Sequence, residues 1–169
     1  MAALIKERMC AQVEGEVVVF LIGMRINALW KVWRWGPVAA AMPRMLRELA
    51  MQPELGLLSA QPVLMGPRDI AFIQYWKSAA HLQAYAKATD HAHLPAWRAF
   101  NKAIGTSGDV GIWHETYVVP QGHMSSVYVN MPRFGLGLAG ELIPARGARA
   151  SEAGRLTAVA RAPQTNDPV

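Results

Sequence analysis

Glu16-Val17-Val18-Val19-Phe20-Leu21-Ile22-Gly23-Met24 decides the fold of this chain. Its β-branched and aromatic run predicts a strand that is apolar on both faces, so both faces are to be buried. Helices can cover one face. In a chain of 169 residues the other needs a second sheet, supplied by a second subunit. The remaining elements follow outward from this strand. Trp30-Lys31-Val32-Trp33-Arg34-Trp35-Gly36-Pro37 ends in a turn signal, and Val38 to Met51 reads as a helix with Pro43 opening or kinking it. Met42, Met45, Leu46 and Leu49 lie at helical spacing and form its apolar face. Leu57 to Met65 is a strand broken by Pro62, hence an edge or a bulge, and Gly66-Pro67-Arg68-Asp69 turns into a strand over Ile70 to Trp76. Ser78 is an N-cap for a helix from Ala79 to about Ala88, Asp90 to Ile104 is a second helical piece, and Val110 to Val119 is the fourth main strand.

The order strand, helix, strand, strand, helix, strand is the ferredoxin-like split βαβ motif: a four-stranded antiparallel sheet with both helices on one face, of class α+β. Residues 1–15 read as a lead-in, 16–144 as one domain, and 145–169 as a disordered tail of Ala, Arg, Pro and polar residues. His123 to Asn130 is a candidate short strand, and 132–144 a Gly- and Leu-rich loop packed on a surface.

Hydrophobic residues make up 52% of the chain and charged residues 17%. The apolar excess needs a membrane, a large cofactor or a partner subunit to cover it. The longest apolar run, Val17 to Met24, ends at Arg25 and falls far short of the roughly 20 residues of a membrane span. The net charge of +5 is dispersed or sits near the end, at Arg146, Arg149, Arg155 and Arg161, with no basic stripe interleaved with aromatics. Neither a membrane nor nucleic acid is expected as a partner. The lone Cys10 and the lack of a secretory pattern fit a cytoplasmic setting.

Two histidines 21 residues apart carry the chemistry. His93, Trp97, Phe100 and Ile104 fall at i, i+4, i+7 and i+11, one helical stripe, so His93 points where the apolar side chains point. Spacing leaves two readings open: a metal or cofactor ligand, or a helix-start histidine satisfied by nearby backbone, as Pro95 would favour. On the strand, Ile112, His114, Thr116 and Val118 share one face. His114 is then either an acid–base group in an apolar layer or a core histidine bonded to a threonine or a carbonyl. His81, His91 and His123 read as structural or surface residues, and the Trp30, Trp33, Trp35 group as core packing. Gly135-Leu136-Gly137-Leu138-Ala139-Gly140 has the letters of a dinucleotide loop but neither strand before it nor βαβ unit after it, and reads as a flexible loop.

Four segments carry a family resemblance: Val18-Val19-Phe20-Leu21-Ile22-Gly23-Met24-Arg25-Ile26-Asn27, His93-Leu94-Pro95-Ala96-Trp97-Arg98-Ala99-Phe100-Asn101, Asp109-Val110-Gly111-Ile112-Trp113-His114-Glu115-Thr116-Tyr117 and Asn130-Met131-Pro132-Arg133-Phe134-Gly135-Leu136-Gly137. Through them nearly all of residues 17–142 resembles a family of unknown function, often labelled monooxygenase, in the dimeric α+β-barrel superfamily. About residues 90–118 are also similar to the haem site of aldoxime dehydratases, in which a helix-start His-Leu binds the iron and a Trp/Tyr-His-Glu strand supplies a distal histidine. The distal Arg and Ser donors of those enzymes have no matched position in this sequence. The resemblance implies a homodimeric enzyme with haem b, His93 as the metal ligand, Trp97, Phe100 and Ile112 beside the cofactor, and His114 as the catalytic acid–base group. It implies conversion of an aldoxime to a nitrile plus water or related haem chemistry. The alternatives are a monooxygenase, cofactor-free or haem-dependent, acting on a small apolar or aromatic substrate, and a non-catalytic haem or small-ligand module. In the cofactor-free case, Trp76, Trp97, Trp113 and Tyr117 are expected to shape the cavity.

Overall fold

A computed structural model describes residues 3–88, 98–102 and 104–160. The chain divides into two compact units, Val18–Val118 and a second made of Met1–Val17 with Val119–Val169.

The first unit carries the four-stranded antiparallel sheet. Its strands are β2 (Val17–Ile26), β3 (Leu57–Gly66), β4 (Asp69–Trp76) and β5 (Val110–Val119), in the spatial order β3-β4-β2-β5. The apolar strand is therefore central, as its two greasy faces require, and pairs with β4 from Val18↔Trp76 to Arg25↔Asp69. Arg25 closes that end of the pair with two bonds from one nitrogen to the Asp69 carboxylate, at 2.7 and 2.9 Å. Pro62 lies on the edge strand β3, opposite Phe72, where its missing N–H deprives no further strand.

Helices α1 (Val32–Met51) and α2 (Ala79–Lys87) supply the partner layer. One core cluster joins Val18 and Trp76 of the sheet to Leu49 of α1 and Tyr85 of α2, with Phe20, Leu46 and Leu82 packed against it. A second joins Met24, Ile26 and Val110 to Ile104, with Trp35, Val38 and Phe100. Both use the even-numbered residues of β2, so that face of the sheet lies under the helices. Val19, Leu21, Ile73 and Trp113 lie on the other face, half-buried. Trp113 sits directly over Gly23, where a Cβ would stand 2.7 Å from the indole.

Helix α1 begins earlier than the Gly36-Pro37 signal implies. Pro37 lies inside it, as does Pro43. Proline's fixed φ suits a helix, and its ring removes one backbone bond, here from a turn whose Trp33 is solvent-exposed and open to water. The tryptophan group splits accordingly. Trp35 packs inward and donates from Nε1 to the Leu29 carbonyl at 3.0 Å, whereas Trp30 and Trp33 are 71% and 70% exposed rather than core. Ser78 caps α2 as its sequence predicts, its Oγ accepting from the His81 N–H.

In the second unit, β1 (Met9–Gln12) pairs antiparallel with β6 (Glu141–Pro144), two short strands within stretches read as lead-in and loop. Residues 123–130 contribute one isolated bridge, Tyr128 to Met9, in place of a strand. The glycine-rich stretch folds into a one-turn helix, α3 (Leu136–Ala139), with Leu136 and Gly137 buried. Where the sequence reads a disordered tail after residue 144, the structure has a 3-10 turn (Gly147–Ala150) and a helix, α4 (Glu152–Ala160). Arginine rather than apolar bulk holds them: the Arg155 guanidinium is buried and donates to Ser125 Oγ and to the carbonyls of Arg149 and Ala150. Ala145 N–H donates to the Arg8 carbonyl at 2.9 Å. Among the described residues, no helix is long and apolar enough to cross a membrane.

Candidate active site

The helix-covered face of the sheet carries a row of residues across three strands. Gln74 on β4 stands opposite Phe20 on β2, and the Phe20 ring meets the His114 ring of β5 with centroids 5.6 Å apart and a 41° tilt. His114 thus lies on the helix-facing side, as strand alternation predicts, together with Ile112 and the buried Val110. It is exposed rather than enclosed, because β5 is an edge strand whose second half is open to solvent.

Beside this row a cavity of ≈ 40 Å³ opens between the layers. Phe20, Ile22, Gln74 and Trp76 form its floor, Met42, Met45 and Leu49 of α1 one wall, and Leu82, Tyr85 and Ala86 of α2 the other. The lining is apolar except at two points. The Tyr85 hydroxyl donates to Glu48 Oε2 at 2.9 Å, and burial, then this bond to a carboxylate, push its pKa up. Gln74 is 3% exposed, and its Oε1 accepts from Trp76 Nε1 at 2.9 Å. Sequence reasoning passed over Gln74. The available signal was a lone amide on the same strand face as Ile70, Phe72 and Trp76.

His93 and Trp97 lie outside the described residues. Phe100 and Ile104, the other half of their stripe, do turn inward against Met24, Ile26 and Val110. Among the described residues no group of three or more His, Cys, Asp or Glu side chains is placed to hold a metal. The described residues fit one wall of a haem site: apolar, with a single imidazole at its margin. The cavity itself has room for a few water-sized groups, not for a porphyrin. Trp76 and Trp113 cannot shape one cavity as the cofactor-free reading expects. Trp76 packs under the helices, while Trp113 lies over Gly23 on the opposite face, the face Tyr117 also takes by alternation. His81 is structural, with its Nδ1 2.7 Å from Ser78 Oγ and its ring against Gly56, and His123 is exposed.

The family model for monooxygenase af470-like proteins matches residues 17–136, a span that holds the sheet, both helices and both histidines. The chain belongs to the monooxygenase af470-like family. It is similar to monooxygenase af470 of Aspergillus fumigatus, 32% identical over 132 residues, which are 69% of this chain and 44% of that protein. The chain thus spans less than half the length of this curated af470 relative. Among solved structures it is similar to the aldoxime dehydratase OxdRE in complex with butyraldoxime, at a TM-score of 0.61 and 14% identity, over 80% of this chain and 40% of that one. It is also similar to SnoaB, a cofactor-independent oxygenase from Streptomyces nogalater, at a TM-score of 0.45 and 13% identity, over 63% of this chain and 95% of that one. At 14% identity the likeness to OxdRE concerns the fold alone.

Proposed function

We propose that this chain is a haem b enzyme that acts on a small apolar substrate at the helix-facing side of its sheet. The observation that carries the reading is the placement of His114 on that face, against Phe20 and next to an apolar cavity. His93 is assigned to the iron through the resemblance of residues 90–118, with Trp97, Phe100 and Ile112 beside the ring. Bound haem would supply an iron centre for an oxime nitrogen or for dioxygen. His114, at the open margin of the site, would move the proton: dehydration of R–CH=N–OH to R–C≡N and water needs an acid at the departing hydroxyl. The apolar lining would limit competing water. The family's name favours a second reading, oxygenation of an apolar or aromatic substrate with His114 as the base.

The test is expression with a haem precursor, then an absorption spectrum, iron analysis and assays of aldoxime dehydration and substrate-dependent oxygen uptake. Haem that His93→Ala loses and His114→Ala keeps supports the assignment. An unchanged Soret band in His93→Ala refutes it. A colourless protein that consumes oxygen with an aromatic substrate establishes the second reading. In either case the two-faced apolar strand makes a homodimer the proposed assembly, with the helix-free faces of two sheets packed together.

A further inference from the structure

Gln74 is a buried amide in an otherwise apolar cavity, and its two ends are used unequally. A tryptophan indole can only donate, so the Trp76 contact fixes Oε1 toward Trp76 and turns Nε2 the other way. Trp76 is 1% exposed, so this anchor is rigid. On its far side, Nε2 has the Met42 thioether at 3.6 Å. Sulfur is a weak acceptor, and an amide nitrogen carries two donors. A buried amide ordinarily exchanges its water for strong partners. Here the donor side meets only the weakly accepting Met42 sulfur, in the wall of a cavity with room for a few heavy atoms.

We infer that Gln74 is a specificity-determining residue whose Nε2 donates to the acceptor atom of a small neutral ligand, a ketone oxygen or an oxime, seated in this cavity. The inference rests on the reading of the helix-facing side as the substrate side. It adds to that reading the polarity of the substrate: an apolar body with a neutral acceptor and no positive charge. The placement suits the chemistry proposed for His114. Gln74 and His114 stand on either side of Phe20, on strands about 10 Å apart, so a molecule held at Gln74 would have to run along the Phe20 ring to reach the imidazole.

The experiment uses the full ¹⁵N-labelled chain, with and without added haem, titrated with acetone, with acetaldoxime and with xenon as an apolar probe. Acetone or acetaldoxime is expected to shift the Gln74 side-chain amide resonances in the wild type. Whichever binds more tightly identifies the acceptor. Gln74→Met keeps the volume and offers the indole a weak acceptor but no donor. It is expected to bind the preferred polar probe about three- to tenfold more weakly, the worth of one hydrogen bond, while xenon binds undiminished. Equal weakening for xenon and the polar probe would reduce Gln74 to a packing residue and overturn the inference. So would amide resonances that neither polar probe moves, a result read on the wild type even if the variant does not fold. Because the titration is also read without haem, a chain that takes up no haem can still pass it, which separates this inference from the haem assignment.

Discussion

Gly23→Ala tests the proposed assembly at a single atom. The new Cβ would stand 2.7 Å from the Trp113 ring, against the roughly 3.5–4.0 Å of an unstrained carbon contact. Gly23 lies on the central strand, held on one side by its pairing with Ala71, so the ring and not the strand must move, by about 1 Å. It moves outward on the helix-free face. Forced repacking of this kind costs about 1–3 kcal/mol per site, and a twofold interface repeats the site in each protomer. If the two faces are packed together, a total of about 2–6 kcal/mol weakens the dimer at least thirtyfold. Sedimentation equilibrium of wild type and variant reads this directly, with thermal unfolding measured alongside. Trp113→Leu in the Gly23→Ala background is expected to restore association by making room. A variant that dimerises as tightly as wild type, or a wild type that is monomeric at micromolar concentration, refutes the face-to-face assembly.

Other expectations follow from the same structure. Trp76→Ala removes a fully buried ring and its bond to Gln74, and chemical denaturation is expected to show a loss of about 3–5 kcal/mol. In Asp109, the Lys31 ammonium at 2.8 Å, with Arg34 nearby, holds the carboxyl below its ordinary pKa. Its contribution is therefore present above the unfolded-state pKa and lost as pH falls through the folded one. Asp109→Asn should lower the melting temperature at pH 7, and the difference from wild type should shrink as the pH falls below about 4 toward the depressed folded-state pKa. His114→Ala is expected to retain its haem and slow turnover by about 10²–10⁴-fold, read as rate per bound haem; loss of the haem would reassign the residue. Truncation after Pro144 removes the Arg155 bonds to Ser125 and is expected to loosen the β1–β6 unit while hydrogen exchange in β2 and β4 stays unchanged.

Most of the sheet was legible because its signals are local. The two-faced apolar run of β2, the Ser78 cap, the Pro62 edge and the bounds of β5 each follow from a few adjacent residues. The β1–β6 pair was not, since it joins four-residue strands with no alternation across more than 120 residues of chain. Arginine misled in the same unit: Arg155 and Arg149 looked like solvated charge and instead supply the bonds that order residues 147–157. Pro37 misled in α1, because a proline signals a boundary locally even where an exposed turn tolerates it. At the site, strand alternation placed His114 on the correct face but could not show that β5 lies at the sheet's margin, which is what exposes the imidazole. Gln74 was visible as a letter, but its importance depends on Trp76 fixing which end of the amide faces the cavity.

The proline in β3 also limits how copies of this chain can associate. A bare strand margin is an invitation to fibre growth, since any extended segment can add to it. Here that margin carries Pro62, and its pairing with β4 slips in register between Leu57 and Ser59 and again between Leu64 and Gly66. A newcomer would meet a missing donor midway and a warped ladder at both ends. Lateral addition of strands along β3 is thereby disfavoured. One imino acid thus helps to keep a chain that is 52% hydrophobic from adding strands without end along this margin.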